Sequence, residues 1–332
     1  MNILSKIGNT PLLKLNKVVE SSDAEIYVKC EFMNPGGSIK DRMALRMIEE
    51  AEKSGELKPG GTIVDQSTGN TGPALAFVGA VKGYKVQLFL PAQLSSSYDP
   101  ADRIRIAKLF GCNVTTIDLQ DHISNFDELS DMERAAAFVA IRMTQCYQLG
   151  VSDPSFWWAN QLCNINNAAA HREGTGKEIL EQMGGKVDAW VVSIGTGGTL
   201  LGVAEALKGG NSNVHVSGVV PTDDPRIEWI QSRAVHKSLE KFGAPKMRFL
   251  IEDILEKNMM DQEIVVRNED AKNMADRLCS EEGLFCGMSS GANVFAAIEL
   301  AKKMKKGSRI VTVLVDRRDR YFAEYPNEHY VV

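Results

Sequence analysis

The sequence predicts an α/β protein with parallel sheets covered by helices on both faces. Short runs of β-branched residues alternate with helical patterns over most of the chain, and this alternation is typical of such sheets. Loops of small residues directly follow two of the runs, which is where α/β sheets bind ligands. A length of 332 residues suffices for two domains with separate cores.

Each predicted strand is a short apolar run rich in Val, Ile or Thr, followed by a loop or a helical stretch. The predicted strands lie at 62–66, 85–90, 113–117, 189–193, 214–219 and 309–314. Helices are predicted through 73–78 and over 101–110, between successive strands. No solenoid repeat or low-complexity tract interrupts the pattern.

Bulk composition excludes several classes of function. Hydrophobic residues make up 44% and charged residues 24% of the chain, as in ordinary globular proteins. A net charge of −5 argues against nucleic acid or an anionic membrane as the main partner. Neither the six cysteines nor the five histidines have the spacing of a zinc site or a disulfide framework, so no metal is expected. Without a membrane-spanning run or a signal-peptide core, a cytoplasmic protein is expected.

A lysine stands where a flexible loop is predicted to become a helix. The stretch Asn34-Pro35-Gly36-Gly37-Ser38-Ile39-Lys40-Asp41-Arg42 combines turn residues with Ser38, a natural helix cap. Lys40 would then lie in the first helical turn, where the helix dipole disfavours an ammonium. Because a Schiff base forms from the free amine, Lys40 is a candidate for carbonyl chemistry. A lone lysine of this kind could equally be a solvated surface residue.

The loop Gly195-Thr196-Gly197-Gly198-Thr199 follows a predicted strand and opens a helix. Its glycines allow backbone amides to approach an anion, and its hydroxyls add donors, so it is a candidate phosphate cradle. It matches neither the dinucleotide fingerprint nor the P-loop. An ordinary tight turn is the alternative.

The loop Ser67-Thr68-Gly69-Asn70-Thr71-Gly72 follows the 62–66 strand, and its amides and hydroxyls suit a carboxylate. A third small-residue turn at 287–292 leads into a helix predicted over 293–304. For both turns, a capped helix start is the alternative. A lysine, a phosphate cradle and a carboxylate loop together indicate pyridoxal phosphate acting on an amino acid.

These four motifs stand in the order and spacing of the cysteine synthase/cystathionine β-synthase family of fold-type-II pyridoxal-phosphate enzymes. The chain resembles this family from Ile7-Gly8-Asn9-Thr10-Pro11-Leu12 to about Tyr321. The resemblance implies two doubly wound three-layer αβα domains with the cofactor in the cleft between them, and a homodimer. The larger, discontinuous cofactor-binding domain would comprise 1–37 and 162–332. The smaller, mobile domain would comprise 38–161 and close over the substrate.

The resemblance also implies a role for each candidate residue. Lys40 would form the Schiff base with pyridoxal 5′-phosphate and shuttle the α-proton, and Asn70 would hydrogen-bond the cofactor's 3′-oxygen. Ser289 would face the pyridine nitrogen and leave it largely unprotonated, which favours expulsion of a β-leaving group. The cofactor's phosphate would be held by Gly195, Thr196, Gly197, Gly198 and Thr199. The substrate carboxylate would be bound by Ser67, Thr68, Gly69, Thr71 and Gln161.

The reaction implied is a β-replacement through an aminoacrylate, to which a thiol or sulfide adds after the leaving group departs. The first expectation is a cysteine synthase that makes cysteine from O-acetylserine or O-phosphoserine and sulfide. The enzyme alternatives are a cystathionine β-synthase-like enzyme, a serine/cysteine β-lyase, or a synthase of another β-substituted alanine such as diaminopropionate. The non-enzyme alternative is a regulatory binding protein that keeps the fold.

Four segments depart from the family pattern. Ser67-Thr68 stands where Thr-Ser is usual, after Gln66 where proline is common. A longer segment at 94–103 replaces Met-Ser-x-Glu-Arg, and the Gly-Ile-Gly loop expected between about 220 and 255 is missing. The usual Ser-Gly-Glu-Arg-Tyr ending reads Asp-Arg-Arg-Asp-Arg-Tyr at 316–321. That cluster is either a solvated, mutually paired surface run or a selector of an acidic substrate or nucleophile.

Overall fold

The computed structural model of the protein describes residues 2–19, 24–92, 100–118, 121–123, 128–222 and 233–324. By its contacts the chain divides into two compact units. The first unit consists of Met1–Arg46, Asn164–Asp224 and Phe249–Arg318. The second unit consists of Met47–Cys163, Pro225–Arg248 and Asp319–Val332.

The first unit is built on a six-stranded sheet with the order β1-β2-β10-β7-β8-β9 among the described residues. Only the short strand β1 is antiparallel to its neighbour, and the other pairings are parallel. The strands are β1 (Leu12–Lys14), β2 (Glu25–Cys30), β7 (Ala189–Ser193), β8 (His215–Pro221), β9 (Gln262–Val266) and β10 (Arg309–Leu314).

The helices of the first unit begin with α1 (Lys40–Ser54), which continues into the second unit after Arg46. The others are α5 (Ile165–Ala170), a π-helical turn (His171–Gly176), α6 (Lys177–Gln182), α7 (Gly198–Gly210), α9 (Leu250–Glu256), α10 (Asn268–Glu282) and α11 (Met288–Ala301). One core of this unit forms where apolar residues of β2, β7 and β10 pack against α10 and α11.

The second unit carries a parallel four-stranded sheet with the order β5-β4-β3-β6. Its strands are β3 (Thr62–Gln66), β4 (Lys85–Pro91), β5 (Asn113–Ile117) and β6 (Phe156–Trp158). Its helices are α2 (Thr71–Lys82), α3 (Ala101–Leu109), α4 (Asp131–Ser152) and α8 (Ala234–Lys241).

Helices cover both faces of this second sheet. Adjacent residues of a strand point to opposite faces, and Ile63 and Val64 pack against different helices. A Cβ placed on Gly79 of α2 would lie 3.7 Å from Cδ1 of Ile63, whereas Val64 belongs to an apolar cluster with Ala137 and Ile141 of α4. This is the three-layer arrangement that a buried parallel sheet requires.

The prediction of an α/β fold with mainly parallel sheets in two domains is confirmed. Each predicted strand is present within two residues of its predicted bounds. The helix predicted over 293–304 instead runs over Met288–Ala301, because Gly287 is already extended and the next residue can begin the helix. Residues 94–99 of the altered 94–103 segment, and 223–232 within the region of the missing loop, lie outside the described residues.

Candidate active site

Lys40 is the first residue of α1, as the loop-to-helix pattern predicts. Its backbone amide lies 3.3 Å from Oγ of Ser38, so the serine caps the helix start. The preceding turn is tight because Gly37 has a φ of +86° and the amide of Gly36 donates to Oδ2 of Asp41 at 2.5 Å. A Cβ on Gly36 would lie 2.5 Å from Oδ1 of Asp41. The glycine requirement at this turn is therefore steric.

The segment that follows β10 anchors this loop. The amide of Ile39 donates to the carbonyl of Val315 at 2.9 Å, and the amide of Arg317 donates to the carbonyl of Gly37 at 3.2 Å. The same segment holds the start of α11, since Val315 donates to Oγ of Ser290 at 2.8 Å. The Lys40 loop and the turn carrying Ser289 are therefore fixed at the carboxyl end of one strand, where α/β sheets bind ligands.

Ser289 lies half-buried in the first turn of α11. Four residues further on, Asn293 is fully buried and ties this helix to two strands. Its Oδ1 accepts from the amide of Ser193 at 2.7 Å, and its Nδ2 donates to the carbonyl of Val313 at 2.9 Å. Asn293 thus holds α11 beside the end of β7, from which the glycine-rich loop departs. No sequence motif indicated a role for Asn293.

The glycine-rich loop is supported from beneath by α5. Nδ2 of Asn167 donates to Oγ1 of Thr196 at 2.9 Å, and Oγ1 of Thr196 accepts from the amide of Gly198 at 3.3 Å. Gly197 has a φ of +89°, and a Cβ on Gly198 would lie 2.2 Å from Oδ1 of Asn167. Glycine is therefore required at both positions. The result is a cradle of amides and hydroxyls at the N-terminus of α7, with the chemistry that a phosphate requires.

A buried histidine, His171, lies against this cradle. The ring is fully buried, with Nε2 3.2 Å from Oγ1 of Thr199 and Nδ1 3.0 Å from Oγ1 of Thr175. Burial, together with the charges of Lys40 and Arg42, lowers the pKa of His171 well below its usual value. The imidazole is therefore neutral, with one nitrogen as donor and the other as acceptor. No sequence motif identified His171 or Asn167 as a site residue, because neither lies within a glycine-rich run.

Arg42, on α1 just after Lys40, is held between two carboxylates. Its Nε lies 2.7 Å from Oε2 of Glu31, and its Nη1 lies 2.6 Å from Oε1 of Glu178. Burial alone would lower the pKa of Arg42, but the two carboxylates outweigh it and the pKa is raised. Glu178 is likewise opposed by burial, yet Arg42 and Lys29 lower its pKa to about 2. This network fixes the helix that begins at Lys40.

The carboxylate loop lies in the second unit, directly after β3. Oγ of Ser67 accepts from the amides of Gly69 and Gly72, each at 3.2 Å. Oγ1 of Thr71 donates to Oε1 of Gln161 at 2.5 Å, and Nε2 of Gln161 donates to the carbonyl of Gln66 at 2.8 Å. The structure therefore brings Gln161 to the loop 90 residues before it. Thr68 and Gly69 are half-buried at the loop's tip.

A buried carboxylate lies beneath this loop. Asp65 is fully buried, and its Oδ1 accepts from the amide of Gln66 at 2.9 Å and from Nε1 of Trp158 at 3.2 Å. Burial raises the pKa of Asp65 to about 7, against the lowering effect of these hydrogen bonds and of the charge of Arg142. Burial also lowers the pKa of Arg142 to about 10. Asp65 is not part of any motif that the sequence displays.

The 316–321 cluster is not a solvated surface run. Asp316 is fully buried, and Arg318 and Arg320 are 7% and 3% exposed. Arg318 pairs with Asp276 of α10 in the first unit, while Nη1 of Arg320 donates to Oδ1 of Asn70 at 2.9 Å in the second. The surface-run interpretation is therefore wrong, because these side chains have partners distant in sequence.

The structure also bears on the metal sites, membrane spans and disulfides that were not expected from the sequence. Among the described residues, no group of three or more His, Cys, Asp or Glu side chains is arranged to hold a metal ion. The same residues contain no helix with the length and hydropathy needed to cross a membrane. All six cysteines carry free thiols.

Comparison with known proteins agrees with this chemistry. The family model described as pyridoxal-phosphate dependent enzyme matches residues 3–316. A cysteine synthase of Staphylococcus aureus (strain Mu50) is 38% identical over 323 residues, covering 97% of this chain and 95% of the relative. A cystathionine beta-synthase of Dictyostelium discoideum is 36% identical over 335 residues, covering 100% of this chain and 62% of the relative.

A solved structure of a hydrogen sulfide-producing enzyme from Fusobacterium nucleatum superposes with a TM-score of 0.77 at 31% identity. The superposition covers 96% of this chain and 99% of that one. The family match spans far more than half of the sequence and includes the lysine loop, the carboxylate loop and the phosphate cradle. The chain therefore belongs to the pyridoxal-phosphate dependent enzymes of the cysteine synthase/cystathionine β-synthase family, as its motifs predict, and its cofactor is pyridoxal phosphate.

Proposed function

We propose that the protein catalyses a β-replacement that makes cysteine from O-acetylserine or O-phosphoserine and sulfide. One observation carries the assignment of the site. The loop that carries Lys40 is hydrogen-bonded to the segment following β10, and the phosphate cradle follows β7, which pairs in parallel with β10. The candidate lysine and the candidate phosphate site therefore lie at the carboxyl ends of two adjacent strands of the first unit.

The residues of the first unit fit the cofactor. Gly195, Thr196, Gly197, Gly198 and Thr199 would hold its phosphate with amides and hydroxyls, since glycines leave the backbone amides of such a loop open to an anion. Lys40 would bind the cofactor's carbonyl carbon and, once the substrate amine has taken its place, would accept the proton from the substrate's Cα. The hydroxyl of Ser289 would face the pyridine nitrogen. When bound, pyridoxal phosphate supplies the electron-withdrawing system that makes this Cα proton removable.

The second unit would bind and orient the amino acid. Backbone amides of Ser67, Thr68, Gly69 and Thr71, with the hydroxyl of Thr68 and the side-chain amide of Gln161, would hold the substrate carboxylate. Asn70 would donate from its side chain to the cofactor's 3′-oxygen. Because Ser67 and Gln161 already bind the loop internally, the loop is ordered before substrate arrives, and less entropy is lost on binding.

The choice of donor and nucleophile is the finer part of this proposal. The match to a cysteine synthase over nearly the full length of both chains favours sulfide as nucleophile. Similarity to a cystathionine beta-synthase and to a hydrogen sulfide-producing enzyme favours, as second candidates, replacement with homocysteine or β-elimination from cysteine. The buried arginines at 316–321 depart from the usual family ending and keep another β-substituted alanine, such as diaminopropionate, among the products to be assayed.

We further propose that 38–161 act as the smaller, mobile domain and that 1–37 and 162–332 form the larger one. The two compact units instead keep residues up to Arg46 with the larger domain, and they group Pro225–Arg248 and Asp319–Val332 with the smaller domain's residues. Protease protection on substrate binding should therefore be mapped in all three segments. From the family resemblance we propose a cytoplasmic homodimer. Light scattering on the purified protein and fractionation of cells test these two points.

The proposed chemistry is tested by trapping and by turnover. Borohydride reduction of the holoenzyme, followed by peptide mass mapping, should locate the reduced cofactor adduct on the peptide containing Lys40. Wild type and Lys40→Ala are then incubated with O-acetylserine, O-phosphoserine, serine or cysteine, each with and without sulfide or homocysteine. The proposal is supported if wild type forms cysteine from an O-substituted serine and sulfide and if Lys40→Ala forms it at a rate at least about 10³-fold lower. An adduct on another lysine would overturn it.

A further inference from the structure

Arg320 and Asn70 contact each other within the second unit although they are 250 residues apart. Nη1 of Arg320 donates to Oδ1 of Asn70 at 2.9 Å, and Arg320 is only 3% exposed. Asn70 occupies the N-cap of α2, a position where asparagine ordinarily accepts a hydrogen bond from a helix amide. Here the side chain makes no such bond. Its Oδ1 instead accepts a hydrogen bond from the guanidinium of Arg320.

The contact determines which way round the amide lies. A guanidinium has five N–H donors and no acceptor, so only the oxygen of an amide can face it. The two ends of an asparagine amide are otherwise nearly equivalent in shape, and their assignment depends on such partners. When Oδ1 accepts the hydrogen bond from Arg320, Nδ2 lies on the opposite side of the amide group. Nδ2 is the only donor of the Asn70 side chain.

The segment that carries Arg320 is itself clamped to the start of α3. The guanidinium carbon of Arg103 lies 4.5 Å from the ring centroid of Tyr321, and the amide of Ala323 donates to Oδ2 of Asp102 at 2.6 Å. Arg103 and Tyr321 are 2% and 6% exposed, so this stacking is shielded from water and correspondingly stronger. Arg320 is therefore presented to Asn70 from a fixed backbone.

We propose that Arg320 is a positioning residue, which locks the amide of Asn70 with its nitrogen directed at the 3′-oxygen of pyridoxal phosphate. The inference rests on the proposed placement of that oxygen beside Asn70. A 3′-oxygen carrying negative charge accepts a hydrogen bond from Nδ2, whereas a reversed amide would set its own oxygen against that charge. Without Arg320 the amide would be free to adopt both orientations, only one of which binds the cofactor productively.

The inference predicts a specific order of variants. Lysine has only donors and can replace Arg320 in this role, whereas glutamine has both a donor and an acceptor and methionine has neither. Arg320→Met and Arg320→Gln should therefore raise the dissociation constant of pyridoxal phosphate about five- to tenfold. They should also shift the pH dependence of the bound cofactor's visible absorption toward that of Asn70→Ala. Arg320→Lys should stay within about twofold of wild type in affinity.

Two controls separate positioning from stability. Tyr321→Leu loosens the clamp but keeps every donor of Arg320, so it should lower the midpoint of thermal unfolding and shift the absorption profile less than Arg320→Met does. Arg277→Gln removes an arginine of α10 whose side chain is 46% exposed and should leave the absorption profile unchanged. Asn70→Asp keeps an acceptor for Arg320 but has no donor, so it should fold stably and give the profile of Asn70→Ala.

The outcomes distinguish the inference from the function on which it rests. If Asn70→Ala changes the absorption profile while Arg320→Met and Arg320→Gln do not, the role of Arg320 is overturned and the cofactor placement stands. If Asn70→Ala changes neither the profile nor the affinity, the placement itself is wrong. If the Arg320 variants do not fold, Asn70→Asp decides, because a wild-type profile there would overturn the inference.

Discussion

Arg42 and Glu178 form a two-point ion pair between α1 and α6. Nη1 of Arg42 lies 2.6 Å from Oε1 of Glu178, and Nη2 lies 2.7 Å from Oε2. The two residues are 136 positions apart, and Glu31 accepts from Nε and Nη2 of the same guanidinium. The planar guanidinium suits this bidentate geometry, which a lysine could not reproduce. The pair fixes the first turn of the helix on which Lys40 lies.

Arg42→Leu should lower the free energy of unfolding by about 3–5 kcal/mol, because it leaves Glu31 and Glu178 without their shared cation. Urea denaturation of the apoenzyme measures this. Arg277→Gln is the matched control, since it breaks an exposed i,i+4 pair with Glu281 and should cost no more than about 1 kcal/mol. Equal losses in the two variants would mean that the buried network does not stabilise the unit.

Gly198→Ala should weaken cofactor binding at least about tenfold. The new Cβ would lie 2.2 Å from Oδ1 of Asn167, so Asn167 must move and release the hydroxyl of Thr196. Overpacking should also lower the free energy of unfolding by about 1–3 kcal/mol. Equilibrium dialysis against pyridoxal phosphate, together with urea denaturation, checks both effects.

Gly209 supplies the control for that experiment within the same helix. A Cβ placed on Gly209 meets nothing within 4 Å, so Gly209→Ala should leave cofactor affinity unchanged. It should raise the free energy of unfolding by up to about 1 kcal/mol through helix propensity alone. If Gly209→Ala weakens cofactor binding as much as Gly198→Ala does, the steric argument for the cradle is wrong.

The features that the sequence predicted correctly are determined by residues close together in the chain. The strand at 62–66, the cap at Ser38 and the helical position of Lys40 depend on a few neighbouring residues, and all are as expected. The supporting residues depend on contacts across the chain. Asn167 lies 29 positions from Thr196, and such distances leave no periodic or motif signal. The sequence did not predict the burial of Arg320 either, because a run of charged residues ordinarily lies on the solvent-exposed surface.

The stability of the second unit should fall as pH rises through about 7 because of Asp65. Burial raises the pKa of its carboxyl to about 7 in the folded protein, above its value of about 3.9 in an unfolded chain. The folded state therefore holds the proton more tightly. Its contribution to stability is complete below about pH 4 and is lost as pH rises through the folded-state pKa. The facing charged and titratable groups are Arg142 and Cys146 of α4.

Between pH 5 and pH 8, the free energy of unfolding of wild type should decrease by about 2–3 kcal/mol more than that of Asp65→Asn. Urea denaturation monitored by the fluorescence of Trp158, which hydrogen-bonds Asp65, reports the relevant unit. Asp153→Asn is the control, because exposed Asp153 has a lowered pKa and its variant should run parallel to wild type over this range. Parallel curves for Asp65→Asn would contradict the assignment of a neutral, buried carboxyl.

Gln161 should control the affinity for the amino-acid donor rather than the stability of the fold. Its Oε1 accepts from Thr71 at 2.5 Å and its Nε2 donates to the carbonyl of Gln66 at 2.8 Å, so it closes the carboxylate loop at both ends. Gln161→Glu keeps the acceptor for Thr71 but loses the donor to Gln66, and it adds a negative charge beside the proposed carboxylate site. We expect KM for the donor to rise at least about tenfold, with a smaller change in kcat.

Gln161→Met separates geometry from charge, because it has similar length and no charge. If loop closure is what matters, Gln161→Met should raise KM nearly as much as Gln161→Glu; if repulsion dominates, only the glutamate variant should do so. Gln87→Glu introduces the same charge on β4, where the glutamine contacts Thr115, and KM should not change. If both Gln161 variants keep the wild-type KM, Gln161 does not contribute to the substrate site, because the loop would then close without either hydrogen bond of Gln161.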